Sequence, residues 1–175
     1  MGAGRGCTFG LIPSYRRIWA PKGERPTASS RRAYKWAYLF SFVRPQTGET
    51  VNFIGSTVSG AVMSAILAEF AKEAELGPRR RAVVVLDGAG WHTTDKLKVP
   101  DGVHLVFLPP YSPELQPAER LWPIVNEGVA NRTFGTLPEL ISRVEGRLRH
   151  MDEDREAVRR KTAYHWWPNE PPIPV

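Results

Sequence analysis

Apolar positions in the first third of the chain alternate with polar ones, which is the pattern of half-buried strands. The alternation predicts strands over residues 16–20, 35–43 and 51–54. The second of these carries four aromatic residues on one face, namely Trp36, Tyr38, Phe40 and Phe42. A turn at residues 46–49 separates the last two strands, so we expect an antiparallel arrangement here.

Helical spacing of apolar residues appears in two later segments. Over residues 59–76, Met63, Ile66, Leu67 and Phe70 recur every three to four positions and predict an amphipathic helix that ends at Gly77 and Pro78. A long helix is predicted from Thr136, where Thr136 and Glu139 have the spacing of a capping box. Its apolar stripe runs to Leu148.

Between these helices lie two uninterrupted apolar runs of strand length, residues 82–86 and 103–108. Such runs are typical of strands buried on both faces of a sheet. A proline-rich turn follows at residues 109–113, and Pro117 is suited to the first turn of another helix. The proline-rich tail at residues 166–175 is expected to be irregular.

Antiparallel strands followed by alternating strands and helices predict an α/β fold, a mixed sheet flanked by helices, in the order of a ribonuclease-H-like fold. At 175 residues we expect a single domain spanning residues 1–175.

The composition limits the functional classes. A net charge of +6, with Arg and Lys in clusters, suits a polyanionic partner, although basic surfaces also serve solubility. The single cysteine, Cys7, excludes an intrachain disulfide and a cysteine zinc cluster. We find no apolar run long enough for a membrane span and no signal peptide, so a cytoplasmic protein is expected.

Two carboxylates occupy positions that could carry chemistry. Asp87 follows the apolar run 82–86 directly, and Glu119 falls in the first turn of the helix that begins near Pro117. Either alone has an ordinary structural explanation, as a turn former or as an acid at a helix N-terminus. Together, the two elements can bring the carboxylates close, where oxygen ligands suit Mg²⁺ or Mn²⁺. A metal pair that cleaves phosphodiesters normally needs a third carboxylate.

The sequences around both carboxylates resemble a known family. LDGAGWH at positions 86–92 and LPPYSPELQPAERLW at positions 108–122 are similar to the second and third acidic motifs of mariner-like bacterial insertion-sequence transposases, which are DDE superfamily endonucleases. RIWAPKGERP at positions 17–26 resembles the family's segment after the first acidic strand. The resemblance covers most of the chain.

This resemblance implies metal-dependent cleavage and joining of DNA at transposon ends and target sites. Asp87 and Glu119, 32 positions apart, would bind Mg²⁺ or Mn²⁺. Arg16, Arg17, His92 and Arg120 are candidate DNA contacts, whereas Tyr111 and Trp122 are expected to be turn and core residues. Implied partners are DNA, a second copy of the chain or a full-length transposase, in a bacterial cytoplasm and at the nucleoid.

The chain departs from the family pattern in two places. Gln116 stands where Asn, a better helix N-cap, is usual. An acidic pair is expected shortly before Phe9, but Arg5 and Gly6 occupy those positions and no acid precedes Glu24. We therefore expect a degenerate first acidic strand, through a frameshift or a 5′ truncation, a missing N-terminal helix-turn-helix region, and little or no activity.

Two alternatives remain open. The chain could be a non-catalytic remnant that binds DNA or joins a full-length transposase. It could also be a different ribonuclease-H-like nuclease, such as a junction resolvase or ribonuclease H, although the motif at 108–122 argues against that.

Overall fold

The computed structural model describes residues 2–25, 27, 33–88 and 97–167, with side chains from residue 6 onward. Its centre is a five-stranded mixed sheet in the order β3-β2-β1-β4-β5. The strands are β1 (Gly2–Gly10), β2 (Trp36–Arg44), β3 (Glu49–Gly55), β4 (Ala82–Leu86) and β5 (Val103–Phe107). The first three pair antiparallel, and β4 is parallel to both β1 and β5.

In the part of the chain that the structure describes, four α-helices and two 3-10 turns flank the sheet. The helices are α1 (Gly60–Glu73), α2 (Leu121–Glu127), α3 (Leu137–Glu153) and α4 (Arg155–Thr162), and the turns are Pro113–Leu115 and Pro117–Arg120. No helix in the described part of the chain is both long and apolar enough to cross a bilayer.

The sheet separates two hydrophobic cores. One core contains Val84 and Leu86 of β4 with the buried face of α1, and the other contains Val85 with Ala118, α2 and α3. All three residues are almost fully buried, so the prediction that this strand is covered on both faces is confirmed. The predicted fold class, a ribonuclease-H-like mixed sheet with flanking helices, is confirmed as well.

Both predicted helices begin with a side-chain cap, of which the one at Thr136 was expected. The Ser59 hydroxyl accepts a hydrogen bond from the Val62 amide at 3.2 Å, and the Thr136 hydroxyl accepts one from the Glu139 amide at 3.3 Å. The Glu139 carboxylate reaches back to the Gly135 amide at 2.7 Å rather than to the cap residue itself. The sequence therefore sets these boundaries locally, through side-chain bonds to free amides.

The predicted strand over residues 16–20 is wrong. This segment has no strand pairing, and the side chains of Ile18 and Trp19 are exposed. The strand that the apolar pattern missed is β1, whose sequence contains four glycines among nine residues and so lacks strand propensity. It forms because β2 and β4 pair with it on either side.

One further prediction needs correction, and a second element was not predicted at all. The run 103–108 forms β5 but is buried only in part: Val103 is in the core, whereas Val106 and Phe107 remain 47% and 43% exposed on this edge strand. The second omission is α4, whose sequence is so rich in charge that only Val158 and Thr162 are buried. A short apolar stripe of that kind gives little periodic signal.

Candidate active site

Asp87 lies where the sequence placed it, immediately after β4. The pairing of β4 with β5 continues to this point, because the Leu108 amide donates to the Leu86 carbonyl at 2.9 Å. The backbone before Asp87 is therefore held on its β5 side. As the residue two after Val85, Asp87 belongs to the sheet face that carries α2 and α3.

Glu119 lies in the 3-10 turn Pro117–Arg120 rather than in the first turn of an α-helix. The α-helix α2 begins only at Leu121. The turn is fixed by the Glu119 amide, which donates to the Gln116 carbonyl at 3.0 Å, and by Pro117 and Ala118, which are buried. Glu119 itself is partly exposed, so its backbone is anchored while its side chain remains near solvent.

Gln116 joins the elements that carry the two carboxylates. Its side chain is completely buried, and its amide nitrogen donates to the Val85 carbonyl at 3.2 Å. Val85 is two residues before Asp87, and Gln116 is three residues before Glu119. This bond places the turn that carries Glu119 next to the end of β4 that precedes Asp87.

The expected role of position 116 was different. Asn was expected there as a helix N-cap, and Gln116 makes no side-chain cap bond to the turn that follows. Its longer side chain instead spans to the neighbouring strand. No local sequence pattern predicts this contact, because it joins residues 31 positions apart.

The strand β1 completes this end of the sheet. Ala3 pairs with Val85 in parallel register, and continuing that register by two residues places position 5 level with Asp87. Strand alternation puts position 5 on the same face as positions 7 and 9. The backbone of the first acidic strand is thus present, and its sequence has Arg5 at the level of the carboxylate on β4.

The chemistry of these donors fits a divalent metal only in part. Carboxylate oxygens of Asp87 and Glu119 are suitable ligands for Mg²⁺ or Mn²⁺. Across the residues that the structure describes, no cluster of three or more His, Cys, Asp or Glu side chains could hold a metal ion. Two carboxylates are fewer than a metal pair for phosphodiester cleavage normally requires.

The residues predicted to contact DNA lie in different parts of the structure. Arg120 follows Glu119, and its Nε donates to the Tyr164 hydroxyl at 2.9 Å. That hydrogen bond raises the pKa of the Arg120 guanidinium above its usual value. Arg16 and Arg17 have exposed side chains, and the Arg16 amide donates to the Asn131 side chain at 2.8 Å. His92 lies outside the described residues.

Trp122 and Tyr111, both in the motif at 108–122, differ in how far their side chains are exposed. Trp122 is buried in the core with α3, as expected. Tyr111, expected in a turn, lies in one with a fully exposed side chain and a left-handed backbone at φ 60°. Such a conformation is costly for a residue with a Cβ, and Glu75 and Asn131 adopt it as well.

Several proteins of known sequence or structure are similar to this chain. Residues 7–141 match the family described as DDE superfamily endonuclease. An uncharacterized protein, y4pE/y4sA, of Sinorhizobium fredii is 39% identical over 108 residues, which are 61% of this chain and 78% of that protein. The family match begins two residues after Arg5, so it includes Asp87 and Glu119 but not the position level with Asp87 on β1.

Three solved structures share the fold. They are described as a pre-cleavage Mos1 transpososome (TM-score 0.59, 14% identity), a mariner Mos1 paired end complex with Mg (0.58, 16%) and a Mos1 transposase paired-end complex with left transposon end (0.56, 15%). They cover 94%, 93% and 93% of this chain, which spans 56%, 56% and 55% of theirs. This chain is therefore about half the length of the structures it resembles. With the fold and the family match in agreement, the chain belongs to the DDE superfamily endonucleases.

Proposed function

We propose that this chain acts on transposon DNA as the catalytic portion of a transposase, with Asp87 and Glu119 as its metal ligands. The observation that carries the proposal is the buried hydrogen bond from Gln116 to Val85, which holds the turn of Glu119 against the strand of Asp87. Both carboxylates then face the same end of the sheet. A bound Mg²⁺ or Mn²⁺ pair would activate the attacking oxygen and stabilise the leaving one.

As it stands, the chain supplies an incomplete ligand set. The position level with Asp87 on β1 holds Arg5, a cation where the family pattern has an acid. A positive charge at this level opposes metal binding through Coulomb repulsion. We therefore propose that the unmodified chain cleaves DNA poorly or not at all.

A supercoiled plasmid nicking assay with Mg²⁺ or Mn²⁺ tests both the metal-binding role of Asp87 and the low activity proposed for the unmodified chain. We expect no nicking by the unmodified chain, metal-dependent nicking by Arg5→Asp, and loss of that nicking in Arg5→Asp/Asp87→Asn. Metal-dependent nicking by the unmodified chain that Asp87→Asn abolishes would show that the existing site is sufficient. An Arg5→Asp chain that binds Mn²⁺ no better than the original would contradict the register-based placement of position 5.

The second candidate is a non-catalytic module that binds DNA or assembles with a full-length transposase. The net charge of +6 and the exposed Arg16, Arg17 and Arg120 favour it. DNA binding in EDTA with no nicking by any variant would support this function alone. Cleavage of RNA–DNA hybrids or branched DNA by Arg5→Asp, without cleavage of plain duplex, would instead indicate a ribonuclease H or a junction resolvase.

We place the protein in the cytoplasm, at the nucleoid when it is bound to DNA. The single-domain organisation over residues 1–175 and the association with a second copy or a full-length transposase belong to the same proposal.

A further inference from the structure

Strand β3 forms one edge of the sheet. It pairs with β2 on one side and, among the strands that the structure describes, with none on the other. Every second residue of such an edge strand directs its N–H and C=O groups away from the sheet. All residues from Thr50 to Gly55 are partly exposed, as this position requires. The edge can therefore form a backbone ladder with one further strand.

A groove of about 560 Å³ runs along this edge. Its floor consists of residues 50–53 of β3, and Glu73 at the end of α1 lines one side. Four residues of α3 line the other side, namely Glu145, Leu148, Arg149 and Asp152. Since α1 and α3 belong to the cores on opposite faces of the sheet, the groove lies between them, in the plane of the sheet. A sixth strand, about 4.8 Å from β3, would occupy this space.

The two sides of the groove differ in chemistry. Val51 and Phe53 pack against the core that contains α1, whereas the Thr50 hydroxyl donates to the Asp152 carboxylate of α3 at 2.7 Å. The side chains of an added strand would alternate between the same two sides. On the α3 side they meet Glu145 and Asp152, and on the α1 side they meet Val51 and Phe53. A strand in which basic and apolar residues alternate is complementary to both sides.

The charge of the groove selects among the possible partners. Three acidic side chains and one basic side chain line it, on a molecule whose net charge is +6. The acids, Glu73, Glu145 and Asp152, are all exposed. Their charge repels the phosphates of DNA, and it opposes the pairing of β3 with β3 of a second copy, because both grooves would bring the same acids together. A basic peptide segment meets neither obstacle.

We propose that the groove between α1 and α3 is a docking site for an extended segment of a partner protein, in which basic and apolar residues alternate and which pairs with β3 as a sixth strand. Backbone hydrogen bonds to the edge supply affinity, and the alternate side chains supply specificity. Strands β2 and β1 lie between β3 and β4, the strand before Asp87. The docking site is therefore separate from the candidate active site.

The test titrates the full chain into a labelled nine-residue peptide of alternating arginine and valine, followed by fluorescence anisotropy. Two matched peptides carry methyl groups on the backbone nitrogens of either the arginines or the valines, so that each lacks the donors of one strand edge. We expect one of the two to bind at least about tenfold more weakly than the unmethylated peptide, because each lost hydrogen bond costs about 2- to 10-fold. Equal affinity of all three peptides would overturn the proposal.

Variants locate the binding site. Glu145→Lys should weaken binding of the unmethylated peptide by about 2- to 25-fold, since it removes one attraction and adds one repulsion of up to about fivefold each. Glu73→Lys tests the α1 side in the same way. The matched control is Glu153→Lys, which makes the same charge change on α3 at an exposed position outside the groove lining. Equal weakening by Glu145→Lys and Glu153→Lys would show attraction to the net charge alone and would contradict the proposal.

Hydrogen exchange of the β3 amides distinguishes the remaining outcomes. We expect their exchange to slow when the unmethylated peptide saturates the chain. Protection that instead rises with protein concentration in the absence of peptide would mean that the groove takes a second copy, and the inference would be wrong. Failure of the unmethylated peptide to bind would leave the acids only the protective role that charges have at sheet edges, and would overturn the inference as well. None of these measurements depends on nicking by Arg5→Asp, so this inference and the proposed function can fail separately.

Discussion

At the scale of single residues, Gln116 links the core to the candidate site. Its side chain is completely buried between the 3-10 turn of Glu119 and the carboxyl end of β4, and it donates to the Val85 carbonyl. A buried polar side chain of this size contributes through both its hydrogen bond and its volume. The stability of the fold and the geometry of the carboxylates therefore depend on the same residue.

We expect Gln116→Ala to lower the free energy of unfolding by about 2–5 kcal/mol, because it removes the hydrogen bond and leaves a cavity. Gln116→Met keeps the volume and removes only the bond, so its loss should be about 1 kcal/mol. Urea unfolding measures both. Glu114→Ala, an exposed change in the same segment, should stay within about 0.5 kcal/mol of the original. Equal stability of Gln116→Met and the original chain would mean that the bond to Val85 contributes nothing.

At the scale of elements, the β2–β3 hairpin is joined to the junction of α3 and α4. The Thr50 hydroxyl donates to the Asp152 carboxylate at 2.7 Å, and Arg155 pairs with Glu49 at 3.2 Å. Directly before Glu49, Gly48 has a φ of 74°, and a Cβ there would collide with the Arg155 carbonyl. The turn thus requires glycine for two reasons, its backbone conformation and its close approach to α4.

Gly48→Ala should therefore destabilise the fold by about 3 kcal/mol or more, since the left-handed conformation alone costs about 1–2 kcal/mol and the collision adds to it. Gly23→Ala is the control, because Gly23 has a φ of 95° but nothing near the position of its Cβ. It should show only the conformational cost. Comparable losses for the two variants in chemical denaturation would mean that the hairpin moves away from α4 without penalty.

The arginines of α3 show how a charged face can serve the fold. Arg143 donates to the Gly128 carbonyl at 3.1 Å, and Arg147 donates to the Ile124 carbonyl at 3.1 and 3.3 Å. These carbonyls belong to the last turn and the end of α2, where backbone acceptors lack partners within the helix. The helix α2 is only seven residues long, so partners from α3 compensate for its poor intrinsic stability.

At the scale of the whole molecule, the sequence predicted those parts of the fold that depend on local pattern. The sequence predicted the buried run of β4, the apolar stripe of α1 and the cap at Thr136, because each depends on residues within a few positions. Strand β1 was not, because its glycine-rich sequence has no apolar alternation and its pairing partners are distant in the chain. Nor could any pattern show that β5 is an exposed edge.

For the candidate site too, the sequence predicted the features that depend on nearby residues and missed the long-range contacts. Asp87 and Glu119 were identified by their places after a strand and at a turn, and by the motifs around them. The contacts of Gln116 with Val85 and of Arg120 with Tyr164 were not identified, because they join residues 31 and 44 positions apart in the sequence. Only the folded chain shows that both meet at the turn of Glu119.

The charge of the whole molecule leads to the last prediction, which concerns where DNA binds. If Arg17 contacts a phosphate, Arg17→Ala should lower the slope of log affinity against log salt by about 0.9. Arg80→Ala removes the same net charge, but Arg80 is paired with Glu75 at 3.0 Å. It should leave the slope nearly unchanged. Fluorescence anisotropy with duplex DNA at several salt concentrations measures both slopes. Equal reductions of the two slopes would indicate that DNA affinity depends on the net charge of +6 rather than on a defined contact surface.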